Sequence, residues 1–316
     1  MNISIIIPNY NGQDLLAQNI PAVVKALQSY KGGKREIVIV DDASKDDSLN
    51  VLSELRQKYG SEKLIFTILK NKKNKGFSET VNKGVSHASG EIVILLNSDV
   101  FPHEDFLNSL LPHFTNPGVF AVGCAEENFE EGKIVIRGRG VGLWKRGLLM
   151  HRKGRNDKTR TLWVSGGSGA FRKSIWEKLD GLDPLFAPFY WEDIDLSYRA
   201  LKAGYLVLFE LESLVIHEHD KGAIQSGFKQ QKITTTSYRN QFMFAWKNIS
   251  DTTILVKHIL WLPILILLSI KNGNFLLLSG LFEAISKLRV VLKARKKAQR
   301  QVRVSDRSVI KRVGLS

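Results

Sequence analysis

The sequence predicts an α/β fold, a mostly parallel sheet flanked by helices, with a helical extension at its C-terminal end. Three observations carry this expectation. Apolar, β-rich runs at 3–8, 36–40, 64–69 and 91–96 show no polar alternation, the pattern of strands buried on both faces. Helical spacing separates them: Leu15, Leu16, Ile20, Val23, Val24 and Leu27 form one stripe over 14–30, and further helices are expected over 47–59 and 78–88. Polar clusters close three of the runs, at Asn9-Tyr10-Asn11-Gly12, Asp41-Asp42-Ala43-Ser44 and Asn97-Ser98-Asp99. In parallel sheets ligands bind beyond the carboxyl ends of the strands, so three tips point polar groups toward one rim.

Composition narrows the function classes. The chain has 316 residues, 43% hydrophobic and 24% charged, enough to bury a full core. One cysteine, Cys124, excludes an intramolecular disulfide framework and fits a reducing compartment. The apolar start at 3–8 is too short for a signal core and lacks a basic flank. A formal charge of +15 calls for an anionic partner. Much of it lies near the C-terminal end beside apolar stretches, which favours lipid over nucleic acid; Arg137-Gly-Arg139-Gly is short, lacks interleaved aromatics and reads as a loop.

Residues 101–220 are less regular, rich in glycine and aromatics, with a helix expected over 193–203 stopping at Gly204. Four constellations there and upstream carry chemistry. Asp99 at a strand tip suits a hard divalent cation, which uses one or two protein carboxylates plus substrate phosphates; a turn cap is the plain alternative. Asp41 and Asp42 can accept from a base and a ribose; helix capping, for which Ser44 and Asp46 are good residues, is the plain alternative. Glu192 and Asp193 follow Phe186, Phe189, Tyr190 and Trp191. An apolar setting raises a carboxyl pKa and makes a better base; capping a helix start is the alternative. Asp195 is expected to point elsewhere. His217 and His219 share a strand face by alternation, and either one completes a metal site with Asp99 or is simply structural.

In this order the motifs resemble inverting glycosyltransferase family 2, whose catalytic domain has the GT-A fold. The matching residues are Ile-Ile-Ile-Pro8-Asn-Tyr10-Asn-Gly, Val-Asp41-Asp42-Ala-Ser, Asn74-Lys-Gly76-Phe-Ser-Glu-Thr-Val-Asn82, Asn97-Ser98-Asp99, Gly166-Gly167-Ser-Gly-Ala-Phe-Arg and Trp191-Glu192-Asp193-Ile-Asp195-Leu-Ser-Tyr-Arg199. The resemblance covers about residues 1–220 and implies roles. Pro8, Tyr10, Asp41, Asp42, Asn74, Gly76, Asn82 and Ser98 are expected to hold a nucleotide-sugar. Asp99 and His217 are expected to bind Mn²⁺ or Mg²⁺, and Asp193 to act as general base. Gly167, Trp191 and Glu192 are expected in the acceptor and sugar pocket, and Arg239-Asn240 near the donor phosphates. The implied reaction moves a sugar from a UDP- or dTDP-sugar to a glycan or lipid-linked acceptor of a cell envelope, as in rhamnosyltransferase-like enzymes. One departure is that Asn97 stands where the family's Asp-x-Asp motif has its first aspartate, which removes one charge.

The expected organisation is a catalytic domain over 1–220, divided at about 100 into nucleotide-sugar and acceptor halves, and an apolar, then basic tail over 221–316. Residues 254–270 are slightly short for a spanning helix and contain Lys257, His258 and Pro263. The basic run Lys293 to Arg300 attracts anionic headgroups. This favours a tail lying in the cytoplasmic leaflet, peripheral or monotopic, over a hairpin through the bilayer or a buried core helix. A nucleotidyltransferase on a similar sheet lacks its Gly-rich basic loop here. A non-catalytic binding protein has no use for Asp99, Asp193 and His217 together.

Overall fold

The computed structural model describes residues 1–130, 133–217 and 227–314. Its first part is the expected alternation: β1 (Ile3–Asn9), α1 (Gln13–Ser29), β2 (Arg35–Asp41), α2 (Ser48–Tyr59), β3 (Leu64–Lys70), α3 (Phe77–His87) and β4 (Ile92–Leu96). The four strands are parallel, with Ile5 opposite Ile37 on one side and Ile94 on the other. Side chains alternate between two apolar cores: Ile6, Val38, Val93 and Leu95 enter one, and Ile5, Ile7, Ile39 and Ile94 the other. Each such side chain contributes roughly 1.5–3 kcal/mol on burial, which explains an apolar run without polar alternation.

The middle is more regular than its composition implied. It contains β5 (Val100–Pro102), α4 (Phe106–Leu110), β6 (Val119–Glu130), β7 (Lys133–Arg137), the hairpin β8 (Gly140–Lys145) and β9 (Leu148–Lys153), β10 (Ser168–Arg172), α5 (Lys173–Lys178), α6 (Glu192–Lys202) and β11 (Leu206–His217). The main sheet runs β3-β2-β1-β4-β10-β6-β11-β5, with β7 beside β6. β10 is antiparallel to both β4 and β6, so β6 and β11 point the same way as β1–β4. The strand that ends at His217 is twelve residues long, with a bulge between Phe209 and Leu214.

Among the described residues five helices follow: α7 (Gln230–Asn248), α8 (Thr252–Lys271), α9 (Phe275–Ser286), α10 (Leu288–Gln299) and α11 (Asp306–Val313). Part of this extension belongs to the core. Phe242, Phe244, Val291, Val309 and Val313 pack in the same cluster as Phe171 and Trp176. Two buried carboxylates bolt it down. Asp306, fully buried, accepts from Tyr198 Oη (2.7 Å), Lys202 Nζ (2.7 Å) and the backbone N–H groups of Ser250 (2.7 Å) and Asp251 (2.8 Å). Asp195 on α6 accepts from Arg199 Nε (2.7 Å), Lys247 Nζ (2.8 Å) and Asn248 Nδ2 (2.8 Å).

Helix α7 also holds the loop that leads into α6. Asn240 Nδ2 faces the carbonyls of Phe186 (2.7 Å), Phe189 (3.0 Å) and Tyr190 (2.9 Å), and Arg239 donates to Ala187 O (2.5 Å). Tyr190 and Trp191 sit at φ of 69° and 79°, a left-handed backbone that bulky residues adopt only when their surroundings enforce it. Arg239-Asn240, expected beside the donor phosphates, therefore serves this loop instead: its polar groups are taken by main-chain carbonyls.

Replacing Asp306 by Ala leaves the Lys202 ammonium buried without its counter-charge, and is expected to cost about 3–5 kcal/mol in urea unfolding. Burial alone would raise the Asp306 carboxyl, but Lys202 and the other donors outweigh it and hold it below its ordinary value. Its stabilisation is therefore present at neutral pH and lost as pH falls through the folded-state value, a loss the variant no longer shows at this site. Asn240→Ala should lose about 2 kcal/mol of local stability, read as faster amide exchange across 186–195.

Candidate active site

β1, β2, β4, β6 and β11 present their carboxyl ends along one rim. At the β1 tip, Asn9, the last residue of the strand, donates through Nδ2 to Asp41 (3.1 Å) and Ser44 Oγ (3.2 Å), with Pro8 just before it and Tyr10, 37% exposed, just after. Asp41 also accepts from Ser44 N–H (3.1 Å). Asp42 is buried and accepts from Asn71 Nδ2 (2.7 Å), Lys75 N–H (2.8 Å) and Gly76 N–H (2.8 Å). Neither carboxylate caps α2; Asp46 accepts from Ser48 N–H at that end (3.2 Å). Asp42 thus shapes the 74–76 turn, in which Asn74 Oδ1 accepts from Gly76 N–H (3.1 Å). Gly76 has φ of 79°, a conformation glycine adopts without strain. A side chain there would reach to 4.0 Å from Pro188 O, so the turn lies against the loop that feeds α6.

At the β4 tip the 97–99 turn brings Asp99 to His217, with 3.6 Å between Asp99 Oδ2 and His217 Nε2. Glu126, at the end of the β6 apolar run, lies 3.3 Å from His217 Nδ1 and accepts from Ser168 Oγ. Burial would lower the imidazole pKa, but the two carboxylates outweigh it and hold it up at about 9. Two acids thus demand positive charge at this spot. Asp99 is 6% and Glu126 7% exposed. Among the described residues no group of three or more His, Cys, Asp or Glu forms a closed metal cage. An open carboxylate–imidazole pair fits Mg²⁺ or Mn²⁺, which keep positions for substrate phosphates and water. His219 lies outside the described residues.

Glu192 and Asp193 open α6 beside this cluster. Burial pushes Glu192 up to about 8 and Asp193 up to about 6. Side by side, the two carboxyls titrate as a pair, and burial with their mutual repulsion favours a single negative charge shared between them. Asp193 Oδ1 accepts from Ile194 N–H (2.7 Å). The stretch 166–168 ties the two halves together. Gly166 lies against Asp193, its added Cβ falling 3.8 Å from Asp193 Cβ; Gly167 O accepts from Asn97 N–H (3.0 Å); Ser168 bonds Glu126. Gly167 has no room for a side chain, since a Cβ would meet Asn97 Nδ2 at 2.6 Å. Ser98 Oγ lies 3.5 Å from where a Cβ on Gly12 would stand, at the mouth of the β1–α1 turn.

Two expected pocket residues occupy supporting positions. Asn82 spends both ends of its amide on Leu182, donating to its carbonyl (2.7 Å) and accepting from its N–H (3.0 Å), so it fastens α3 to the loop at 181–182. Trp191 is 3% exposed, its ring 5.1 Å from those of Phe244 and His151, so it packs beneath α6. Glu126 was not singled out by the sequence reading; a polar residue directly after the apolar run 119–125 is the same strand-tip signal that marked Asp99. Asp195 turns away from Asp193 into the α7 contact, as helical spacing requires.

The glycosyl transferase family 2 sequence profile matches residues 4–180. The chain is 23% identical over 224 residues to the O-antigen chain rhamnosyltransferase of Salmonella typhimurium, covering 70% of this chain and 67% of that protein. It is 37% identical over 98 residues to the undecaprenyl-phosphate 4-deoxy-4-formamido-L-arabinose transferase of Edwardsiella ictaluri, over 31% of this chain and 29% of that one. Of the curated relatives beyond the Salmonella protein, the chain spans between 29% and 48% of the length. In structure it resembles a mannosyltransferase of Pyrobaculum calidifontis, solved with GDP-Man and Mn²⁺, at a TM-score of 0.57 and 16% identity over 94% of this chain and 86% of the other. That likeness speaks to the fold, which is GT-A. With the profile spanning more than half its length, the chain belongs to glycosyl transferase family 2 and is a glycosyltransferase.

Proposed function

We propose that this enzyme transfers a sugar, with inversion, from a nucleoside-diphosphate sugar such as a UDP- or dTDP-sugar to a hydroxyl of a lipid-linked or polysaccharide acceptor in cell-envelope glycan synthesis. The observation that carries this reading is the seam at 166–168, which sets the ionised Asp193 on one side and the Asp99–His217–Glu126 cluster on the other. The Salmonella relative's O-antigen activity and the Edwardsiella relative's undecaprenyl-phosphate substrate support the envelope and lipid-linked setting. The Pyrobaculum neighbour's GDP-Man and Mn²⁺ support a nucleotide-sugar donor and a divalent cation. Residues 1–100 form the donor side, 101–220 the acceptor side, and 221–316 the extension that braces both and meets the cytoplasmic face of a membrane.

In this reading Pro8, Tyr10, Asp41, Asp42, Asn74, Gly76 and Ser98 build the nucleotide side, several of them by shaping its turns. Asp99 and His217 hold the divalent cation. When bound, that cation neutralises charge developing on the departing diphosphate. A nucleoside diphosphate leaves without a proton, so a single base suffices. Asp193 takes the proton of the acceptor hydroxyl as that oxygen attacks the anomeric carbon. Glu192, protonated alongside, keeps a second negative charge away from Asp193, and Gly167, packed against Asn97, lines the sugar side of the seam.

Asp193→Asn is expected to lower kcat by about 10²–10⁴-fold with nucleotide-sugar binding unchanged by calorimetry; transfer at the wild-type rate would remove Asp193 as base. Because the base works ionised, kcat should fall as pH drops through about 6, the value burial gives Asp193. Asp99→Ala should weaken Mn²⁺ binding in a titration followed by electron paramagnetic resonance, a readout independent of turnover.

A further inference from the structure

Helices α8 and α9 leave one long apolar face bare. Ile259, Leu260 and Leu267 on α8 and Phe275, Phe282 and Ile285 on α9 are all exposed, Leu267 at 67% and Phe282 at 68%. Among the described residues α8 is the one helix long and apolar enough to cross a membrane. Its contacts argue for another arrangement. His258, in its second turn, is buried: Nδ1–H donates to Gly147 O at the β8–β9 turn (2.6 Å), and Nε2 accepts from the Trp246 indole on α7 (2.8 Å). The helix is seated so closely there that a Cβ on Gly147 would come within 2.5 Å of His258 Cα. Helix α9 is fastened just as tightly, Gly280 meeting α7 where a Cβ would lie 2.7 Å from Tyr238 and 2.9 Å from Arg239 N. Helix α9 packs along α7, and α8, joined to α9, is seated on the β8–β9 turn through its second turn, with the outer stripes of both left free. To cross a bilayer α8 would have to shed these contacts or carry the β8–β9 hairpin into lipid, where its polar backbone finds no water.

The charge around this face says what covers it. Residues 252–300 contain nine Lys and Arg (257, 271, 287, 289, 293, 295, 296, 297, 300) against one acid, Glu283. Lys271, Arg289, Lys293 and Lys296 are exposed beside the apolar stripe. Arg146 stands over the Trp261 ring at 5.8 Å, a cation–aromatic pair of the kind found at headgroup level. A second copy of the chain would set positive charge against positive charge. Apolar side chains ringed by cations complement an anionic lipid surface.

We propose that α8, α9 and α10 form an in-plane docking surface for an anionic bilayer, engaged through their outer apolar stripe without α8 crossing it. The proposed lipid-linked acceptor supplies the purpose, but the docking needs no sugar transfer. Vesicle binding without transferase activity would overturn the function and leave the surface standing; transfer without vesicle binding would do the reverse.

The test uses the full chain with phosphatidylcholine vesicles and with the same vesicles containing phosphatidylglycerol. Flotation should carry the wild type up with the anionic vesicles and at least about tenfold less of it with the neutral ones. Leu267→Glu with Phe282→Glu, both on exposed positions, should lose about tenfold or more of that binding while keeping the wild-type melting temperature. Equal binding to both vesicles, or undiminished binding by the double variant, overturns the proposal, as does a wild-type dimer that the double variant dissociates. The only native thiol, Cys124, is buried, so Asn272→Cys in the exposed α8–α9 turn reports topology. An impermeant maleimide outside intact vesicles should label it; labelling only after lysis would mean that α8 spans.

Discussion

Asp195 sits two residues past the proposed base, and its fully buried carboxylate has to be matched by cations and donors or it would not remain in the core. Arg199 on the same helix, with Lys247 and Asn248 from α7, supplies the match. The consequence reaches the cleft. A helix pinned on its inner face by Asp195 presents Glu192 and Asp193 at a set height over the seam. The same Arg199 donates to the carbonyls of Leu179 and Gly181, and Gly181 adjoins the Leu182 backbone that Asn82 holds. Donor-side helix α3, the 179–191 loop and α6 are thereby one mechanical unit.

The cleft itself is a problem of uneven charge. Asp99, Glu126, Glu192 and Asp193 converge on one small region, and burial raises the Glu192 and Asp193 carboxyls there. The site resolves this in two ways. Around His217 the two carboxylates raise the imidazole's hold on its proton. Around α6 burial raises both carboxyls, so that the pair favours a single negative charge. A buried acid–imidazole group therefore stands next to a raised carboxyl pair along the 166–168 seam.

The C-terminal helices serve two surfaces at once. Their inner side belongs to the catalytic core, through Phe244, Val309 and the Asp306 junction. Their outer side is apolar and ringed by base. Glu283 on α9 contacts Arg239 (3.6 Å), whose guanidinium holds Ala187 O in the loop leading to Asp193. The docking face and the catalytic loop are thus two layers of side chains apart.

Most of the donor half was legible in the sequence because its signals are local. Unbroken apolar runs mean strands covered on both sides, stripes at helical spacing mean the helices that cover them, and polar residues directly after a strand mean a ligand rim. The pairing of Asp99 with Asp193 was not local, since ninety-odd residues of irregular pattern separate them; motif resemblance supplied the pairing. Tertiary structure decided what periodicity has no means to express. β10 enters antiparallel between β4 and β6 because the two glycines at 166–167 let the chain close on Asn97. Asn82, Trp191 and Arg239-Asn240 became supports because nearby backbone groups claimed their polar atoms or packing claimed their rings. The apolar and basic runs near the C-terminal end announced a surface for lipid, but composition is blind to which side of a helix is already taken. His258 and Gly280 take the inner sides of α8 and α9, and that contact, formed between residues more than a hundred positions apart in one case, is what sets the outer stripes free.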